Sequence, residues 1–151
     1  MKRVLGLDVG EKRIGVAVSD LLGFTAQGVE TIFSKGIQRD HARITELLDQ
    51  YQTNRLVVGL PRSMDGSEGF QADRVRDFMK GLIDLGYQVQ WQDERLTSAS
   101  ATRVLLEGNV RRDKRKQVID KLAATYILQG FLDAGGWKED KDDKVGGKDN
   151  G

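Results

Sequence analysis

Three carboxylates sit where the surrounding sequence gives them something to do. Asp8 lies inside the apolar, glycine-containing run "VLGLDVG"; Glu94 ends "VQWQDE"; Asp120 opens the apolar stretch of "KQVIDKLAATYILQGF". Burying a lone carboxylate in a strand is costly, so Asp8 needs a reason. It could close a turn onto the Lys12 or Arg13 amides, hold a nucleotide phosphate through a metal ion, or be the first ligand of a nuclease metal site. Glu94 falls at the carboxyl end of a strand, where sites gather in open α/β sheets. Its plainer role is to stabilise the start of the helix that follows. Asp93 competes with it, but successive strand residues point to opposite faces, so one of the two can face a site. Asp120 reads as a first-turn residue of the last helix, where an acid also suits the helix dipole. Small Ala123 and Ala124 a turn later would let that helix sit close to the sheet. Together, converging acids at sheet ends can bind two divalent cations, which would activate water and stabilise the leaving oxygen of a phosphodiester.

Composition narrows the alternatives. There is no cysteine, which excludes thiol nucleophiles, thiolate zinc sites and iron–sulfur clusters, and fits a cytoplasmic protein. The single histidine, His41, excludes multi-histidine metal sites and reads as a surface residue at a helix start. Carboxylates remain as the plentiful reactive groups, and their hard oxygens suit Mg²⁺ or Mn²⁺. The net charge of +1 hides a local cluster: Arg111, Arg112, Lys114, Arg115 and Lys116 lie within "NVRRDKRKQ", a candidate phosphate-binding loop. No apolar run approaches a membrane span, and "MKRVLGLDVG" reads as a strand, not a signal peptide.

The elements that must position these residues follow from periodicity. "KRVLGLDV" reads as a mostly apolar central strand. "GEK" turns it into "RIGVAVSD", whose Ile14, Val16 and Val18 alternate onto one face. "FTAQGVETIF" is a third strand. From about Gln38 to Gln52, Ile44, Leu47, Leu48 and Tyr51 fall at helical spacing. "RLVVGLP" is a short buried strand closed by Pro61, and "RSMDGSEG" a polar loop. A helix over about 71–85 carries Val75, Phe78, Met79, Leu82 and Ile83, then "GYQVQWQDE" is another strand. Thr97 or Ser98 can cap a helix ending near Gly108, and "KQVIDKLAATYILQGFLDA" forms the last one. Trp91 and Tyr126 read as core. The order β-β-β-α-β-α-β-α-α predicts an α/β fold: one mixed five-stranded sheet with helices on both faces. Residues 1–135 are expected to form a single domain and 136–151 a charged, disordered tail.

The stretches "GLDVGEKRIGVAVSD", "VVGLPRSMDGSEG", "DERLTSASA" and "IDKLAATYILQGFLD" come in order and cover about residues 3–133. In these the sequence resembles the YqgF family, also called RuvX, of Holliday-junction resolvase-like nucleases with a ribonuclease H-type fold. The resemblance implies that Asp8, Glu94 and Asp120 are catalytic metal-binding acids. It also implies processing of the 5′ end of the small-subunit ribosomal RNA precursor, with cleavage of branched DNA as the older family reading. Many related nucleases carry a fourth acid a helical turn after the last; here that position is Ala123, with Asp93, Asp20 or a substrate phosphate left to complete the shell. Nucleic-acid contacts are expected from Lys12, Arg13, Arg62 and Arg95 beside the 111–116 cluster, with Asp65, Gly66 and Thr97 lining the path. The expected partner is structured RNA or branched DNA, with no membrane, and the chain acting as a monomer or weak homodimer. Two rivals stay open: an actin-like nucleotide-binding lobe, though the chain has a single lobe and no "GxxxxGK", and a catalytically silent nucleic-acid-binding module.

Overall fold

The computed structural model describes residues 2–63, 65–94 and 112–139, with 112–120 as backbone. Its strands are β1 (Leu5–Val9), β2 (Arg13–Ser19), β3 (Ala26–Phe33), β4 (Arg55–Leu60) and β5 (Gln88–Asp93). Its helices are α1 (Ile37–Gln50), α2 (Phe70–Asp84) and α3 (Arg112–Asp133). They form one sheet in the order β3-β2-β1-β4-β5. The first three strands are an antiparallel meander, whereas β1, β4 and β5 run parallel. The expected mixed sheet is therefore present. The helix expected over 97–107 lies outside the described residues, as do Arg95, Thr97 and Arg111.

Alternation along each strand sends apolar residues to two different cores. Leu5, Leu7 and Val9 of β1 join Ile14, Val16, Leu56, Val58 and Leu60 against α1 and α2, which contribute Ile44, Leu47, Leu48, Val75, Met79 and Leu82. On the other face, Val4, Ala17 and Val57 meet Ala124, Leu128 and Phe131 of α3. Helices thus cover both faces. Each α1/α2 stripe is built from large aliphatic side chains at i, i+3 and i+4 spacing. Gly86, at φ 102°, ends α2 in the left-handed conformation that glycine tolerates best. Its N–H and that of Tyr87 donate back to the carbonyls of Ile83 and Leu82.

The α3 face is built on small residues. A Cβ on Gly6 would lie 2.9 Å from Leu128 Cβ, one on Gly28 2.7 Å from Lys121 Cγ, and one on Gly59 2.5 Å from Ile127 Cδ1. Glycines on three strands therefore set how closely α3 approaches the sheet. Beyond α3 the chain packs back on the sheet edge. Trp137 meets Phe131 edge-on, Arg55 lies over the Trp137 ring and bonds Glu139, and Gln90 donates to the Lys138 carbonyl.

Three expectations change. Arg112, Lys114, Arg115 and Lys116 belong to α3 instead of a loop. Asp120 consequently lies beyond the first turn, too far along for the first-turn dipole argument. His41 is not a surface histidine. It is half-buried between α1 and α2, its Nε2–H donating to the Phe78 carbonyl at 2.8 Å and its ring edge-on to Phe78, in space left by Gly81. Tyr126 is the converse case, lying at the exposed edge of α3 and outside the core. Trp91 does pack against the main core, with Arg76 over its ring.

Candidate active site

The parallel strands β1, β4 and β5 all end at the same edge of the sheet, and a cavity of about 130 Å³ opens there. It is lined by Asp8, Val9 and Gly10 from the end of β1, Gly59 and Pro61 from the end of β4, Glu94 after β5, and Gln71 and Arg74 from α2. This is the strand-end location that open α/β sheets favour for sites.

Asp8 is a strand residue paired with Gly15, and only 6% of it is exposed. Leu7 and Val9 point to the α1/α2 core, so Asp8 falls on the α3 face with Gly6. Glu94 shares that face because it continues the register in which Gly59 pairs with Gln92. A Cβ on Gly59 would lie 3.1 Å from both Cγ and Oε1 of Glu94. The glutamate therefore lies over the bare backbone of β4, with Asp8 lining the same cavity from the neighbouring strand. Asp93, the competitor, pairs with Leu60 on the opposite face.

Asp120 is placed by backbone alone. α3 runs antiparallel to β1, with Phe131 in the cluster of Val4 and Ala124 over Gly6. Moving from Ala124 back to Asp120 advances roughly 6 Å along the helix. Moving from Gly6 to Asp8 advances nearly the same distance along the strand. Asp120 thus lies on the part of α3 that runs toward the strand end bearing Asp8. Ala123, where a fourth acid would stand, is buried with Ile127.

Other expected residues are drawn elsewhere. Asp20 closes the β2–β3 turn at the opposite end of the hairpin, accepting from the Phe24 and Thr25 amides, so it cannot complete a shell with Asp8. Partial burial pushes its carboxyl up, but these amide hydrogen bonds, with those from Gly23 and the Thr25 hydroxyl, hold it below the usual aspartate range. Asp65 caps its own loop by accepting from the Ser67 amide and hydroxyl. Arg62 pairs with Glu68 at 3.3 Å, and Glu68 is clasped more tightly by Arg76 at 2.7 and 2.8 Å. That Arg76 contact, with the nearby charge of Arg62, holds the Glu68 carboxyl low. Arg62 still borders a second groove with Pro61, Phe70 and Gln71 beside the acid cavity. Lys12 is exposed in the β1–β2 turn, with Arg13 half-buried at the start of β2.

Two lining residues escaped the sequence reading: Gln71 and Arg74. They lie three apart on α2, on the flank of its apolar stripe that faces the strand ends. A charged residue bordering an apolar stripe near a helix start was the available signal. Among the described residues no three His, Cys, Asp or Glu side chains gather as a metal cage. The cavity does hold two hard carboxylates and neither imidazole nor thiol, a donor set that fits a hard divalent cation.

Known proteins agree with this architecture. RuvC of T. thermophilus, solved in complex with a Holliday junction substrate, superposes with a TM-score of 0.56 at 16% identity, over 91% of this chain and 99% of that one. Thermus thermophilus RuvC alone gives 0.53 at 15%, over 88% and 96%. These likenesses establish the fold that the chain shares with RuvC. Closer in sequence is a Moorella thermoacetica protein named "Putative pre-16S rRNA nuclease", 54% identical over 87% of this chain and 94% of its own length. A Clostridium botulinum (strain Hall) protein of the same name is 47% identical over 87% of this chain and 97% of its own. The family described as "RuvX: Holliday junction resolvase" matches residues 2–134, and the chain belongs to that family.

Proposed function

We propose that this chain is a divalent-metal-dependent nuclease that hydrolyses phosphodiester bonds in structured RNA, processing the 5′ end of pre-16S rRNA in the cytoplasm. The observation that carries the reading is that Asp8 and Glu94, the latter over the bare backbone of Gly59, line one cavity at the carboxyl edge of the sheet. The choice of RNA is supported by the names of relatives at 47–54% identity.

In this reading Asp8, Glu94 and Asp120 hold Mg²⁺ or Mn²⁺. Bound there, the metal would lower the pKa of a water and neutralise charge on the phosphate. The protein's own share is geometric. β1 and β4 are fixed by their sheet pairing and by the cores on both faces, so Asp8 and the floor beneath Glu94 are held rigidly. Burial of Asp8 removes competing water and strengthens its hold on a cation. The basic residues Arg111, Arg112, Lys114, Arg115 and Lys116, with Lys12, Arg13, Arg62 and Arg95, would track the substrate backbone, so binding should weaken steeply with salt. No helix among the described residues is long and apolar enough to cross a membrane. The chain would act as a monomer or weak homodimer.

The test is cleavage of labelled precursor rRNA with Mg²⁺ or Mn²⁺ by wild type and Asp8→Asn, beside a four-way DNA junction. Cleavage of the RNA at its 5′ extension, reduced at least about 10²-fold in Asp8→Asn, is the expected result. Equal cleavage by both proteins would remove the acid site from the chemistry. Preference for the junction would move the substrate to branched DNA, which the family's description favours. Salt-sensitive binding without cleavage would leave a silent binding module.

A further inference from the structure

Several arginines among the described residues are held by carboxylates. Arg43 pairs with Glu30 and Glu46, Arg55 with Glu139, and Arg62 and Arg76 with Glu68. Arg74 is different. It lines the cavity with Asp8 and Glu94, yet its guanidinium makes no ion pair or hydrogen bond among the described residues, and its Nε is buried without a partner. A buried donor left unpaired costs on the order of 1–3 kcal/mol, more when charged, so its persistence asks for an explanation. Arg74 lies on α2, whose apolar stripe of Val75, Met79 and Leu82 is locked into the main core. The backbone position of the arginine is thereby fixed by packing on its neighbours.

We propose that Arg74 is a catalytic residue that grips a non-bridging oxygen of the scissile phosphate. The inference rests on the nuclease reading above and adds a residue to it. The cavity measures about 130 Å³ and is lined by the two acids and the arginine together. An anion is what the guanidinium lacks and what two carboxylates alone would repel. A phosphodiester held to the acids through a divalent cation presents a free anionic oxygen, and an arginine fork matches such an oxygen in geometry and charge. Gln71, one turn earlier on the same flank, adds an uncharged amide to that wall.

The step is a hydrolysis. The oxygen of a water bonds to phosphorus while the bond from phosphorus to the leaving sugar oxygen breaks. The water's proton ends on the leaving oxygen through solvent. Negative charge grows on the non-bridging oxygens as the water attacks, and Arg74 donates to one of them more strongly there than in the ground state. Its own protons stay in place throughout, since a guanidinium does not deprotonate in this range.

A stabilising contact made mainly in the transition state predicts a split in the kinetics. Arg74→Met should lower kcat about 10²-fold or more with KM for precursor rRNA little changed. Arg74→Lys should recover only a small part, because a point charge does not reproduce the fork. Melting temperature should be unchanged or higher in Arg74→Met, since a buried unpaired donor is gone. Mn²⁺ affinity, read by calorimetry without RNA, should stay at the wild-type value or rise.

Cleavage by Arg74→Met at the wild-type rate overturns the proposal and leaves the nuclease reading standing. So does a slow Arg74→Met whose Mn²⁺ affinity falls in proportion, since the arginine would then act by shaping the acid site. Full rescue by Arg74→Lys would show that simple charge is enough and would overturn the fork. Wild-type protein that cleaves nothing sinks the nuclease reading, and the proposal with it.

Discussion

The two faces of the sheet are built by opposite rules. Toward α1 and α2 the strands present Leu, Ile and Val, and the helices answer with Ile44, Leu47, Leu48 and Met79, all essentially inaccessible. Toward α3 they present Gly6, Ala17, Gly28 and Gly59, and the helix answers with Ala123 and Ala124. The first face buries much apolar area per residue, which is where hydrophobic stabilisation comes from. The second also buries Val4, Val57, Leu128 and Phe131, but its glycines let α3 come close to the strand backbone. That closeness gives Glu94 a place over Gly59 and brings α3 close to the strand that carries Asp8. Both faces supply stability, and the second also supplies proximity for chemistry.

Leu7 and Asp8 are adjacent in β1 and point to the two faces, so they test the division directly. Leu7→Ala should cost about 2–5 kcal/mol of unfolding free energy, the usual range for a fully buried leucine. Its cleavage rate per folded molecule should stay within a few-fold of wild type. Asp8→Asn should do the reverse, losing activity by orders of magnitude while denaturant midpoints move little. Urea unfolding and single-turnover cleavage, measured on both proteins, decide it. A Leu7→Ala protein that is folded but inactive would show that the faces are not separable.

Gly59 is where the two rules meet. A methyl there would press on Ile127 Cδ1 at 2.5 Å and on Glu94 Cγ and Oε1 at 3.1 Å. Ile127 can yield at its far end, so Gly59→Ala should cost about 1–3 kcal/mol, as moderate overpacking does. Glu94 must also move by a few tenths of an ångström, and catalytic geometry tolerates less than packing does. We expect activity to fall more than tenfold, well beyond the fraction unfolded. Gly6→Ala, which meets Leu128 and the Ala124 carbonyl but not Glu94, is the control. It should cost similar stability with a smaller loss of rate. Equal losses of rate in the two variants would mean that helix displacement, not Glu94, is what matters.

Legibility in the sequence followed the same division. Strands and helices of the bulky face declared themselves by period: Ile14, Val16 and Val18 alternate, and Ile44, Leu47, Leu48 and Tyr51 recur at helical spacing. Asp8 and Glu94 were visible because carboxylates beside apolar strand ends are conspicuous. The α3 face was harder. Gly6, Gly28 and Gly59 carry no periodic signal, since a glycine that makes room for a helix looks like one that makes a turn. That Arg112 to Lys116 belong to α3 is hidden because arginine and lysine suit both a loop and a helix. His41 misled because its partner is a backbone carbonyl on another helix, and Gly81 opposite it has no side chain to announce the contact. Arg74 is inconspicuous because one arginine among the six charged residues of α2 carries no mark of its own. What distinguishes it is a place in the wall of the acid cavity without an ionic partner, a property of the fold.

The smallest expected effect separates the two ends of the β1–β2 hairpin. Asp20 and Asp8 are both aspartates near strand ends, but Asp20 serves the turn and lies at the edge away from the cavity. Its carboxyl is held below the ordinary aspartate value by amide donors that outweigh its partial burial. A folded-state pKa lowered in this way contributes stability that is present above the unfolded value, about 4, and is lost as pH falls through the folded one. Asp20→Asn should therefore lower the melting temperature slightly at pH 7. The gap should close as both proteins are taken below about pH 4, while precursor cleavage at pH 7 stays at the wild-type rate. A gap that persists unchanged at acid pH would mean that the shape of the side chain, not its charge, holds the turn. Loss of cleavage in Asp20→Asn would reconnect the two ends of the hairpin, and would show that the far turn helps set the position of Asp8.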